Sequence, residues 1–132
     1  MTTELIALAW ALMLALVHLF AATGARNRET GLAYNAGARD QPGPPVGVVT
    51  GRLQRAQANF YESLPLFIGA VAIAGIAGRH NAQTAAGAWL FVGARALYLP
   101  VYAAGVPYVR TLVWAAGLTG IGLVLLGALH GR

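Results

Sequence analysis

The sequence predicts an all-α integral membrane protein, a bundle of four transmembrane helices running up-down-up-down. Two observations carry this. Of the 132 residues 58% are hydrophobic, whereas ordinary soluble domains stand at roughly 45–50% even with Gly counted. The apolar residues also gather into four segments, about 4–23, 54–77, 83–104 and 110–129, each close to the roughly 20 residues that a helix needs to cross a bilayer. These spans use most of the chain, so residues 1–132 read as one membrane domain.

The first span starts at Glu4 with no Arg or Lys ahead of it. A secretory signal needs a basic leading region, so this helix is expected to be retained. The one long connection follows, 24–53, rich in Gly and containing Pro42, Pro44 and Pro45, with Asp40-Gln41-Pro42-Gly43 reading as a turn. Connections beyond roughly 12–15 residues are usually functional or disordered. Its arginines therefore either anchor the first helix at the membrane surface or take part in a site. The other connections, Gly78-Arg79-His80-Asn81 and Gly105-Val106-Pro107-Tyr108, are short and make consecutive helices antiparallel neighbours. Gly69, Ala70, Gly75, Gly87, Gly93, Gly117, Gly120 and Gly127 offer places for close helix approach.

Nine arginines and no lysine stand against four acids, a net charge of +5. Arg26, Arg28, Arg39, Arg52 and Arg55 lie in or beside the first connection and Arg110 follows the third, while Arg79 and Arg132 fall on the other side. The positive-inside rule then puts the first and third connections in the cytoplasm and both termini outside. Because the arginines bracket spans instead of forming a stripe interleaved with aromatics, nucleic acid is not an expected partner. With no cysteine, disulfides, thiolate metal sites and a cysteine nucleophile are excluded, and any thiol chemistry must come from a bound ligand. His18, His80 and His130 fall on different segments, so no metal site is expected, and His18 reads as a polar contact near the cytoplasmic end of the first helix. A small multidrug exporter would carry an acid inside its first span and little charge bias; Glu4 is at the extreme terminus and the bias is clear.

Two polar stripes interrupt the apolar spans. Arg55, Asn59 and Glu62 recur at i, i+4 and i+7 in the second, and Arg95, Tyr98 and Tyr102 at i, i+3 and i+7 in the third, so each set shares a helix face. Matching antiparallel positions of equal depth pairs Arg55 with Tyr102, Asn59 with Tyr98 and Glu62 with Arg95. The last pair would lie roughly 15 Å below the surface, near the bilayer centre. An unpaired charge there is unfavourable by at least about 2.5–3.5 kcal/mol, so Glu62 and Arg95 are expected to pair, either as a register-fixing ion pair or as part of a site. Tyr98 and Tyr102 are either an interfacial aromatic belt or ligand contacts. With Gln57, the upper rungs hold more hydrogen-bonding capacity than they consume among themselves, which suits a polar tripeptide.

The stretch from Arg55 to Phe67, Arg-Ala-x-x-Asn-x-x-Glu-x-x-Pro-Leu-Phe, fixes seven positions and resembles the signature of the MAPEG family, the membrane-associated proteins of eicosanoid and glutathione metabolism. Arg95-Ala-Leu-Tyr98-Leu-Pro-Val-Tyr102 is similar to the family's third-helix pattern. The resemblance implies a homotrimer with glutathione bound between subunits. On that reading Arg55, Asn59, Glu62, Tyr98 and Tyr102 bind the ligand, Arg26 and Gln57 contribute from the neighbouring subunit, and Arg110 is the catalytic arginine; Arg95 joins the binding set as the expected partner of Glu62. Arg39-Asp40-Gln41-Pro42 resembles a bacterial branch, which implies the inner membrane.

Four features depart from the leukotriene-forming members. Arg110 lies eight residues after Tyr102, one more than in that branch, and Ser63 stands where those members have a tyrosine. Arg26-Asn27-Arg28 replaces two adjacent arginines, and Pro100 interrupts the third helix. The expected activity is that of a membrane-bound glutathione transferase or peroxidase, with a thiolate attacking lipophilic electrophiles or lipid hydroperoxides. The alternative is a non-catalytic scaffold or lipid-binding protein that retains the fold. Membrane lipids and a lipophilic small molecule are the other expected partners.

Overall fold

The computed structural model describes residues 1–130; Arg132, assigned above to the outer side, lies outside them. It contains five helices and no strand among the described residues: α1 Thr3–Thr30, α2 Leu32–Ala36, α3 Val48–Ile76, α4 Ala82–Ala103 and α5 Pro107–His130. The four long ones are each apolar and long enough to cross a membrane.

Helix α5 starts three residues early, at Pro107, and two boundaries differ from the sequence reading by more, both shortening the first connection. Helix α1 runs on past Gly24 to Thr30, because Arg26, Arg28 and Glu29 sustain helix once the chain leaves the apolar span. It stops at Gly31, whose φ of 83° is the left-handed conformation that glycine adopts without strain, and whose N–H donates back to Asn27 O. Helix α3 starts at Val48 instead of near residue 54, immediately after Pro44 and Pro45 end their extended stretch. The irregular chain between α1 and α3 is thus 31–47, with α2 folded inside it. Asp40 to Gly43 passes through a bend at Gln41 without the hydrogen bond of a closed turn.

Helices α3 and α4 form the central pair. Helix α1 packs on both from one side and α5 on both from the other, and α4 with α5 is the most extensive contact. The reason is backbone proximity. A Cβ added to Gly87 would lie 2.6 Å from Gly120 O, and one added to Gly120 would lie 2.6 Å from Gly87 O. Such close approach through small residues is the packing device of membrane helices, where no hydrophobic driving force holds neighbours together. Gly117 and Gly127 also meet neighbours, whereas Gly69, Gly75 and Gly93 meet none within 4 Å inside the chain. The core is built on Phe67 stacked on Phe91 at 4.2 Å, with Phe60 6.2 Å from Phe91. Trp10, Phe20, Leu112 and Leu129 point outward from the bundle.

Candidate functional site

The arginine-rich end of the α3–α4 pair holds most of the residues singled out above. The buried face of α3 is drawn by Ala56, Phe60, Ser63 and Phe67. Helical rotation then places Asn59 on one flank of that face with Arg55 and Glu62 further round, and Gln57 on the other flank. One helix therefore serves two separate surfaces.

On the first flank, Arg55 Nε donates to Tyr102 Oη at 3.2 Å. The guanidinium carbon of Arg110, in the first turn of α5, lies 5.0 Å from the Tyr102 ring centroid, so two cations stand against one phenol ring. Arg52, Arg55, Tyr102, Gly105, Pro107 and Arg110 line a groove of about 310 Å³. A hollow of about 250 Å³ continues beneath it, between Asn59, Tyr98, Arg110, Thr111 and Trp114. Arg110 lies on both. Its place near a helix N-terminus, where unpaired N–H groups point outward, adds positive potential to its own charge.

Deeper in the bundle the expected ladder breaks. Arg95 does not pair with Glu62; its Nη2 donates to Asn59 Oδ1 at 2.8 Å, about one turn nearer the surface. Tyr98 therefore has Arg95 over its ring, at 4.2 Å, instead of a bond to Asn59. The cause is rotational phase. Arg95 is buried, its stem passing Gly117 of α5, whereas Glu62 lies on the exposed side of α3 and no ion pair reaches it among the described residues. Faces of Tyr98 and Phe60 supply part of what the carboxylate was expected to give Arg95, as cation–π contacts worth about 0.5–2 kcal/mol each.

On the second flank, Arg26, Asn27, Asn35, Arg39, Gln54 and Gln57 border a hollow of about 190 Å³ between α1, α2 and α3. Arg26 Nη1 donates to Glu29 at 2.9 Å and its Nη2 to Pro44 O at 2.7 Å. Glu29 accepts from the Gly47 N–H at 3.0 Å, which ties the exit of the connection to its entrance. Arg26 and Gln57 thus share a surface that the Arg55 groove does not reach within one chain.

Three polar residues have places that the sequence reading did not give them. Glu4 is buried, accepts from Thr84 Oγ1 and meets His80 Nδ1 at 3.1 Å. His18, read as a polar contact, is fully buried and stacked on Phe60 at 4.8 Å, and neither ring nitrogen is bonded within the chain. Arg52 lies over the α4–α5 turn. An earlier helix start would have signalled it, since Arg52 then falls one turn before Arg55 on the same side.

Four apolar helices, polar groups held at membrane depth and an arginine-lined cleft at one end define an integral membrane bundle with a cationic groove near one surface. A model of the MAPEG family matches residues 5–130. The chain belongs to that family, the membrane-associated proteins of eicosanoid and glutathione metabolism, and is an integral membrane protein. No curated protein matches it significantly.

Proposed function

We propose that the protein binds glutathione or a similar thiol in the groove of Arg55, Tyr102 and Arg110 and transfers its sulfur to lipophilic electrophiles. The observation that carries this is the convergence of guanidinium groups around Tyr102 with no carboxylate among the lining residues. Such a cleft is complementary to a ligand with two carboxylates and an ionisable thiol. The chain has no cysteine, so the ligand must supply the sulfur.

A free thiol with a pKa near 8.5 is mostly protonated at neutral pH. Lowering it by about two units requires roughly 2.7 kcal/mol, within reach of one guanidinium at a helix N-terminus. Arg110 is assigned that role and Arg26 is the second choice. The thiol proton leaves to water; the thiolate lone pair attacks the electrophilic carbon, a carbon–sulfur bond forms, and the leaving group departs with its bonding pair. Tyr98 and Asn59 line the inner hollow, with Arg95 holding Asn59 from behind, and a lipid-derived acceptor would approach there from the apolar bundle.

Arg26 and Gln57 lie on the opposite flank, so one chain presents two incomplete halves. A homotrimer, in which one subunit's Arg26–Gln57 surface meets the next subunit's Arg55–Arg110 groove, would join them. Glu62, exposed two turns deeper than Arg55 on the same side of α3, would then take the ligand's ammonium group at the junction. The arginine-rich end faces the cytoplasm of a bacterial inner membrane on this reading.

The test is spectroscopic. Glutathione is expected to raise the melting temperature in detergent and to show thiolate absorbance at neutral pH. Arg110→Ala should bind comparably yet drop from about three quarters thiolate to about 3% at pH 7, as the pKa relaxes by about two units. Unchanged absorbance and turnover in that variant would move the role to Arg26. No stabilisation by glutathione would leave the non-catalytic scaffold as the reading.

A further inference from the structure

We infer that Arg52 is a positioning residue that clamps the α4–α5 turn and so holds Arg110 against Tyr102. Tyr102 is on the last turn of α4 and Arg110 on the first turn of α5, so their separation depends on the few residues between. That turn bends at Gly105, with φ of 73°, and its backbone bonds are local: Ala104 N–H to Pro100 O, Gly105 N–H to Tyr102 O and Val106 N–H to Val101 O. The tie from α3 comes from Arg52. Its Nη1 donates to Ala103 O at 3.2 Å across 51 residues of sequence.

The geometry gives this contact two sources of strength. Ala103 O is among the last carbonyls of α4, which have no partner inside the helix and sit at the negative end of its dipole, so a guanidinium there satisfies an orphan acceptor and meets a favourable field. The guanidinium also lies flat on Gly105. A Cβ at that position would come within 2.6 Å of its central carbon and 2.7 and 2.8 Å of its two terminal nitrogens. Gly105 thus serves twice, allowing the left-handed bend and leaving room for the clamp.

Arg52 also lines the groove, so it could act on an anion directly, and the two roles separate by coupling. The proposal rests on the reading of Arg110 above, and its test has one arm that does not. The chain is free of cysteine, so single cysteines at the exposed Val49 and Val106 take spin labels without background. Arg52→Ala should broaden the distance distribution between them, and Arg52→Lys, whose ammonium still reaches a carbonyl, should narrow it again. In the glutathione titration, Arg52→Ala should raise the thiolate midpoint by about one unit, a roughly threefold loss of thiolate at pH 7. That shift should vanish in an Arg110→Ala background, because a residue acting through Arg110 has nothing left to position. Unchanged spin-label distances, or a shift equally large without Arg110, would overturn the clamp. If wild type shows no thiolate with glutathione, the thiol reading fails, while the distances still decide whether Arg52 holds the turn.

Discussion

The two ends of the bundle treat their polar residues differently. At the end opposite the arginine-rich one, Glu4, His80, Asn81, Gln83 and Thr84 find partners within the same chain. Glu4 is shared by Thr84 and His80, Asn81 caps α4 while donating to Gly127 O at 3.1 Å, and Gln83 donates to Leu123 O at 3.3 Å. At the arginine-rich end, Arg52, Arg55 and Arg110 gather without a carboxylate, and Glu62 faces outward. Satisfied polar groups fix helix register; cations left without anions form a place for something else. The same residue types therefore serve structure at one end and recognition at the other.

The sharpest way to break this comparison is Glu4→Ala. Removing a buried acceptor leaves Thr84 and His80 without their partner and should lower stability in detergent by about 2 kcal/mol, read as a lower melting temperature. Thiol affinity should not change. If affinity falls with stability, the two ends are coupled and the contrast is too simple. Arg55→Ala should do the reverse, weakening glutathione about tenfold by calorimetry, roughly 1.4 kcal/mol, with the melting temperature nearly unchanged because the side chain is exposed. Equal losses of stability in these two variants would remove the distinction. The smallest effect is expected at His18→Phe, which replaces a buried ring lacking hydrogen bonds with an apolar ring able to stack on Phe60. Stability should rise or stay within about 1 kcal/mol; a loss larger than that would show that the His18 nitrogens have a partner in the membrane.

Much of the architecture was legible because a bilayer simplifies the problem: length and apolarity define spans, and short connections make neighbours of successive helices. The site was only half legible, for a geometrical reason. Pairing positions by depth locates residues along the helix axes, which is why Arg55 meets Tyr102. It says nothing of rotation about those axes, which separates Glu62 from Arg95 and lets Asn59 take its place. The rotation is set by Ala56, Phe60, Ser63 and Phe67 competing for the core, a packing outcome that no spacing rule contains. Arg52 escaped notice for a simpler cause, since starting α3 near residue 54 made it look like a loop charge. Glu4 was read by its nearness to the terminus, although its partners lie about 80 residues away, at the start of α4.

The clasp in which Glu29 holds the Gly47 amide and Arg26 holds the Pro44 carbonyl has a practical consequence for protein engineering. It fixes both ends of the connection independently of what lies between them. Closing a longer loop costs little once its ends are pinned, since each doubling of length adds only about 0.6 kcal/mol. The exposed stretch around Ala38 is therefore the natural point to splice in an affinity tag or a fluorescent domain, and the helices beneath should register the insertion hardly at all.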